Sequence, residues 1–199
     1  MQLLRKGAEA DIYKTDSTVI KERIPKRYRV KELDEKLRKI RTRAEAKLLQ
    51  RAAGIINAPE VLKQNLFSIE MEYIDGPRIK DILDKKNFRE ISAEIATSIA
   101  ALHNSEIIHG DLTTSNMIFS EKKIYFIDFG LGFFSKSAED MAVDLHSLFE
   151  TISSTHPEIS EEMSAIILSE YEMAGGKKEV IARLQKLRTR GRYVKRDKK

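Results

Sequence analysis

The chain has 199 residues, 41% hydrophobic and 34% charged, and 36 Lys/Arg against 31 Asp/Glu give a net charge of +5. That composition suits one sizeable domain or two small lobes and excludes a disordered polymer. It has no cysteine, no apolar run near the roughly 20 residues of a membrane span, and no signal-peptide core at its quickly charged N-terminus, so a cytoplasmic protein without disulfides or membrane contact is expected.

In chain order, residues 2–4, 10–14 and 18–24 read as short strands, with Thr15-Asp16-Ser17 as a turn and Pro25 as a stop. From Val30 to Ala53, the apolar residues Leu33, Leu37, Ile40, Ala44, Leu48 and Leu49 recur at helical spacing. They predict an amphipathic helix with that stripe on the core, ended by Gly54. Residues 61–63 and 66–73 predict two more strands around Gln64-Asn65, and Asp75-Gly76-Pro77 is a turn at a lobe boundary. Helices are predicted over 79–85, 88–104, 137–154 and 159–174, with short strands near 117–119 and 124–127. Gly175-Gly176 breaks the last helix, and a basic tail follows. The expected division is an N-terminal lobe over 1–74, a helical lobe over 75–185 and a tail over 186–199.

The segment His109-Gly110-Asp111-Leu112-Thr113-Thr114-Ser115-Asn116, followed by Tyr125-Phe126-Ile127-Asp128-Phe129-Gly130, carries the chemistry. Asp111 and Asn116 lie five residues apart in a loop, and Asp128 sits just past an apolar strand. This set suits phosphoryl transfer. One carboxylate orients the attacking hydroxyl, while an amide and a second carboxylate hold magnesium on nucleotide phosphates. The tripeptide Asp128-Phe129-Gly130 alone would be a weak signal. The two motifs in this order and spacing are a strong one.

A small sheet with one helix, then a hinge, then a helical lobe carrying these motifs is the element order of a protein kinase. The chain resembles a minimal bilobal α+β protein-kinase-like fold over residues 7–144. The resemblance implies ATP and Mg2+ as ligands. Lys21, in Thr18-Val19-Ile20-Lys21, resembles the third-strand lysine that grips the α and β phosphates. Glu45 resembles its partner on the following helix, with Glu32 and Glu35 as alternatives. Gly7, Ala8, Glu9 and Ala10 resemble the phosphate-covering loop, with one glycine where ordinary kinases have three. Small side chains there still let backbone N–H groups approach phosphate. Met71 resembles the residue at the back of the adenine pocket, and Glu72 and Tyr73 the hinge that offers backbone groups to adenine. Asp111 is the expected base or hydroxyl-orienter and acts with Lys21, while Asn116 and Asp128 are the expected magnesium ligands. His109 is expected to pack under the Asp128-Phe129-Gly130 turn rather than to shuttle protons, and His103, His146 and His156 to be structural. Asp144 resembles the aspartate that begins a central kinase helix and ties down the catalytic loop. The alternative is a plain carboxylate at a helix N-terminus.

Ordinary kinases carry arginine before the catalytic aspartate to grip an activation-loop phosphate, whereas this chain has Gly110. Only thirteen residues separate Gly130 from Asp144, which leaves no room for the segment that docks peptides. These departures and the runs around residues 7–10, 36–46, 109–116, 125–132 and 190–192 closely resemble the small atypical kinase subunit of the KEOPS complex. RIO-type kinases, which share the short segment, are the second resemblance. The KEOPS resemblance implies an ATPase and serine/threonine kinase that supports threonylcarbamoyl-adenosine formation in tRNA. It also implies two partners, an ASKHA-fold catalytic subunit and a small adaptor. Residues 186–199 carry +7 and residues 21–51 carry +8, which leaves −10 for the rest. The two basic patches fit contacts with tRNA, the plain alternative being a solvated helix face and a free end. Competing expectations are a RIO-like ribosome-assembly ATPase, a non-catalytic nucleotide-binding scaffold and a small-molecule kinase. Retention of Lys21, Asp111, Asn116 and Asp128 speaks against the scaffold, and the short helical lobe against the small-molecule kinase.

Overall fold

The structure, a computed structural model, describes the backbone of residues 1–196 and the side chains of residues 1–189. Three strands, β1 (Gln2–Arg5), β2 (Ala10–Lys14) and β3 (Thr18–Arg23), lead into α1 (Lys31–Ala53), followed by β4 (Val61–Gln64) and β5 (Ser68–Glu72). The five strands form one antiparallel sheet in the order β1-β2-β3-β5-β4. Because β5 inserts beside β3, Lys21 at the centre of the sheet pairs with Ile12 on one side and Ile69 on the other. The lysine backbone is thus held from both edges.

Beyond the Gly76 turn come α2 (Ile79–Ile82), α3 (Phe88–Asn104) and β6 (Ile107–Ile108). A short helical turn at Thr114–Asn116 precedes β7 (Met117–Ser120), β8 (Lys123–Phe126) and β9 (Phe133–Phe134). Helices α4 (Ala138–Thr155), α5 (Ser160–Met173) and α6 (Lys178–Arg196) complete the chain. The hairpin β7–β8 frames the loop between Asp111 and Asp128, and β6 pairs with β9 across its far side. The main core lies among α3, α4 and α5, with Ile95, Ile99, Leu148, Ile152, Ile167 and Tyr171 fully buried. Each methyl-rich side chain removed from water there contributes about 1.5–3 kcal/mol, which makes this lobe a firm base for the loops above it.

Four expectations need correction. The predicted stripe of α1 is buried only at its end, at Leu48 and Leu49, for Leu33 and Ile40 are 52% and 55% exposed and Ala44 is exposed. The buried face also includes Asp34, Thr42, Glu45, Ala46 and Ala52, which the stripe did not mark. The first half of α1 meets charged partners rather than core, and Asp34 lies against Arg38 and Arg29. Apolar spacing therefore marked the wrong face over the first half of α1 and the right one at Leu48 and Leu49. Helix α2 stops at Ile82, because Asn87 Nδ2 donates to the Ile82 carbonyl and the Asp84 side chain turns the chain toward α3. β6 and β9 are two-residue strands, too short to show as patterns. Finally, the break at Gly175-Gly176 is followed by α6, not by a free tail. Val180 and Leu184 are buried, Leu187 packs against the core, and α6 runs on past position 186. The rest of the expected tail, residues 190–199 for side chains and 197–199 for backbone, lies outside the described residues.

Candidate active site

A cavity of about 350 Å3 opens between the sheet and the β7–β8 hairpin. Ile12, Val19, Met71 and Ile118 give it apolar walls, and Lys21, Asn116 and Asp128 lie at its polar end. A second cavity of about 240 Å3 shares Lys21 and Asp128 and extends under Gly7, Ala8, Glu9 and Ala10 toward Asp111. The two form a trough with an apolar slot at one end and charge at the other, the shape a nucleotide needs. A wider trough of about 750 Å3 lies elsewhere, over Lys39, Arg43, Asn65 and Phe67. It is open and brings together no catalytic set.

Lys21 Nζ lies 2.5 Å from Glu45 Oε1 and 2.7 Å from Asp128 Oδ1. Glu45, not Glu32 or Glu35, is the helix residue that reaches it, because Glu45 sits on the sheet-facing side of α1 and is 3% exposed. Glu32 is exposed in the first turn of the helix. Burial works against the Lys21 charge, but Glu45 and Asp128 outweigh it and raise its pKa above 10.5. Burial likewise works against the Asp128 carboxylate, and Lys21 and the Gly130 N–H outweigh it and hold the pKa below 3.8. Both groups are charged at neutral pH. Asp128 has φ 65. For a non-glycine residue that left-handed backbone costs about 1–3 kcal/mol and is kept only where the surroundings enforce it, as at functional sites.

The catalytic-loop candidates are held from below. Asp144 accepts the His109 backbone N–H at 2.8 Å and the Gly110 backbone N–H at 2.9 Å. It lies well inside α4 rather than at its start, which corrects both the expectation that it begins the helix and the helix N-terminal alternative. His103 bridges Asp144 and the Tyr171 hydroxyl inside the core. His109 is fully buried, 4.5 Å from the Phe129 ring by centroids, and lies 3.1 Å from the Ile127 carbonyl through Nε2. Burial outweighs the neighbouring carboxylates and lowers its pKa. A neutral ring with the proton on Nε2 satisfies both contacts, since Nδ1 then accepts the Asp111 backbone N–H.

Asn116 Nδ2 donates to the Asp111 carbonyl at 3.0 Å and to Asp111 Oδ2 at 2.8 Å. Two acceptors fix which end of the amide is nitrogen, so Oδ1 is left without a protein donor among the described residues. That oxygen and the Asp128 carboxylate are hard donors of the kind magnesium takes. Among the described residues no cluster of three His, Cys, Asp or Glu forms a ready-made cation cage. A site completed by substrate oxygens does not need one.

The hinge differs in detail from expectation. The Glu72 backbone N–H donates to the Glu60 carbonyl and the Tyr73 N–H to the Ser17 carbonyl, so neither is available to a base. Ile74, which also lines the cavity, keeps an N–H with no protein acceptor among the described residues. Sequence reasoning missed it because strand pairing with β4 and the β2–β3 turn decides which amides are spent. Glu9 of the loop is tied to Arg41 of α1 at 2.9 Å, and both line the second cavity, so the side chain is already engaged and the backbone is what the loop can offer. Arg23, not singled out in the sequence, lies against Glu45 at 2.5 Å.

Comparison with known proteins places the chain in a family and a fold. A RIO domain model matches residues 9–144. The chain is 43% identical over 192 residues to a probable serine/threonine-protein kinase Bud32 homolog of Archaeoglobus fulgidus, covering 96% of this chain and 95% of the relative. It is 42% identical over 216 residues to the KEOPS complex subunit Bud32 of Pyrococcus abyssi, covering 98% of each. A probable bifunctional tRNA threonylcarbamoyladenosine biosynthesis protein of Methanosarcina mazei is 36% identical over 97% of this chain, which spans only 36% of that relative. The fold is similar to the crystal structure of a Rio2 kinase–ADP/Mg2+–phosphoaspartate complex from Chaetomium thermophilum. The TM-score is 0.64 and the identity 15%, over 95% of this chain and 70% of that one. With a protein-kinase-like fold, a RIO domain over two-thirds of its length and full-length relatives of this identity, the chain belongs to the RIO-domain family and, within it, to the Bud32 kinase-like subunits.

Proposed function

We propose that this chain is an Mg-ATP-dependent kinase-like ATPase that serves a KEOPS-type complex in threonylcarbamoyl-adenosine modification of tRNA. The observation that carries the chemistry is the convergence of Lys21, Glu45, Asp111, Asn116 and Asp128 on one trough with no long activation segment beside it. The name of a full-length relative carries the complex, and that of a longer relative, of which this chain spans 36%, carries the tRNA.

Adenine enters the apolar slot between Ile12, Val19 and Ile118, where the Ile74 N–H and nearby hinge carbonyls orient it. Lys21, steadied by Glu45, gives up its contact with Asp128 and holds the α and β phosphates. The amides of the loop over Gly7, Ala8, Glu9 and Ala10 cover the phosphates. Asn116 Oδ1 and Asp128 would hold magnesium, which would supply charge neutralisation to the nucleotide phosphates. Asp111, oriented by Asn116, aligns the attacking oxygen of water or of a serine or threonine hydroxyl. Positioning and charge supply most of the acceleration in such sites.

The segment from Leu131 to Ser137 is short and folds back as β9 on β6, which leaves no ledge for a peptide. Hydrolysis coupled to a complex is therefore favoured over phosphorylation of distant proteins. We further propose that residues 1–74 and 75–185 act as two lobes about this trough, with 186–199 as the basic end of the chain. That end and the basic sides of α1 supply contacts to tRNA, while an ASKHA-fold catalytic subunit and a small adaptor complete the assembly. No helix among the described residues is long and apolar enough to cross a membrane.

The test follows the γ-phosphate of labelled ATP on the purified chain, alone and with an ASKHA-fold partner and tRNA, with Asp128→Ala as control. Label released as free phosphate, faster with partner and tRNA, supports the proposal. Label moving onto protein regardless of additions favours a protein kinase. No turnover in any mixture sinks the enzyme and leaves a scaffold.

A further inference from the structure

The Lys21–Glu45 pair has a third member. Arg23 lies two residues beyond Lys21 in β3 and shares its face of the sheet, because side chains alternate along a strand. Its Nη2 lies 2.5 Å from Glu45 Oε2, while Lys21 Nζ takes Oε1. One buried carboxylate thus bridges two cations. Arg23 is 6% exposed, and its Nε has no hydrogen-bond partner among the described residues. Among the described residues the guanidinium has Glu45 as its one side-chain partner, and the desolvation of a buried cation is poorly offset by a single ion pair, so the arrangement is weak evidence for a role in stability. Its position points to a different use. Arg23 lines the cavity that Gly7, Ala8, Lys21, Arg41 and Asp111 also line, where nucleotide phosphates would sit.

The charge balance gives the reason. Lys21 and Glu45 alone are a neutral pair, so the carboxylate cancels much of what the lysine offers a phosphate. A second cation on the other carboxylate oxygen shares that negative charge and leaves the trio at a net +1. We propose that Arg23 is a positioning residue of the phosphate site, which occupies one oxygen of Glu45 and so frees the charge of Lys21 for the nucleotide phosphates. The inference rests on the nucleotide-binding proposal above.

The experiment measures equilibrium binding of adenosine, ADP and ATP, with magnesium, to the full chain and to Arg23→Met, Arg23→Gln and Arg23→Lys. Removing a unit charge this close to the phosphates should weaken ADP and ATP by at least about tenfold and leave adenosine within about twofold. Arg23→Lys should recover most of the loss. In a Glu45→Gln background, Arg23→Met should cost less than about threefold, because the route through Glu45 is gone. Unchanged ATP affinity in folded Arg23→Met overturns the inference, as does equal loss of all three ligands. An undiminished effect in Glu45→Gln also overturns it, since Arg23 would then act directly. Failure of both Arg23→Met and Arg23→Gln to fold would make Arg23 structural and overturn it as well. A wild-type chain that binds no nucleotide refutes the ATP proposal instead, so the two failures are separable.

Discussion

Asp144→Asn tests how the catalytic loop is held. The wild-type carboxylate accepts two backbone N–H groups, from His109 at 2.8 Å and Gly110 at 2.9 Å, and is buried at 3% exposure. The substitution keeps size and shape but leaves one acceptor oxygen. Its NH2 group then faces an N–H that needs an acceptor. An orphaned buried donor costs about 1–3 kcal/mol, and the surviving bond loses about 1 kcal/mol when its acceptor is no longer charged. Burying an amide instead of a charge offsets part of this, so about 2 kcal/mol of net destabilisation is expected. For a chain of this size that lowers Tm by about 4–8 °C. The catalytic effect should be larger in proportion. Asp111 follows Gly110 directly, and a displacement near 1 Å at such a group costs about a hundredfold in rate. Urea unfolding gives the stability change, and ATP turnover at saturating nucleotide gives the rate. A variant within about 0.5 kcal/mol of wild type that also keeps full turnover would refute the view that this carboxylate sets the loop.

Four further outcomes are expected. Lys21→Ala and Glu45→Ala should each impair ATP turnover, and the double variant should be little worse than either; additive losses would show that the pair does not act as a unit. Gly110→Ala should cost about 1–3 kcal/mol in unfolding experiments, because φ is 78 there and an added Cβ would run into the Leu131 carbonyl; a neutral result would exclude that close approach. Buried His109 is neutral in the folded chain and gains a proton on unfolding, so stability should fall as pH drops below 6.5 until the lowered folded pKa is reached. The slope contributed is at most about 1.4 kcal/mol per pH unit, and His109→Gln should flatten it in urea titrations between pH 7 and 5; an unchanged slope would remove His109 as its source. Asp128 acts in a separate window, its contribution being present above 3.8 and lost as pH falls further. Removing residues 190–199, which carry a net +5, should lower tRNA affinity and make it less salt-dependent; an unchanged salt slope would exclude phosphate contacts from this segment.

Much of the site was legible because its geometry is local. Asp111, Asn116 and Asp128 lie on one short loop and the hairpin after it, so spacing alone brought them near one another. Lys21 was legible as a strand lysine, since alternation in β3 turns it and Arg23 to the same side. Glu45 does lie against Lys21, but not for the reason its spacing suggested. Its neighbour Ala44 is exposed, and what turns Glu45 inward is the face that Leu49 and Ala52 bury. The first half of α1 misled because its apolar residues face outward while Asp34 and Arg38 pair on the inner side, and periodicity cannot tell a charged inner face from an outer one.

The sequence by itself determined the main elements of the sheet and of the lobe up to Gly175, the family and the identity of the chemical groups, since these depend on residue type and short spacing. Only the tertiary structure decided which groups remain available. Pairing with Glu60 and Ser17 spends the hinge amides of Glu72 and Tyr73, and packing against α4 commits Asp144 to the catalytic loop. The departure at Gly110 also became intelligible there, for a left-handed residue pressed against the Leu131 carbonyl leaves no space for the arginine of ordinary kinases. The fate of the last helix and the bridge from Arg23 through Glu45 to Lys21 were decided in the same way. Each depends on contacts between distant segments, whose partners are chosen by the packing of the whole chain and leave no local pattern in any one of them.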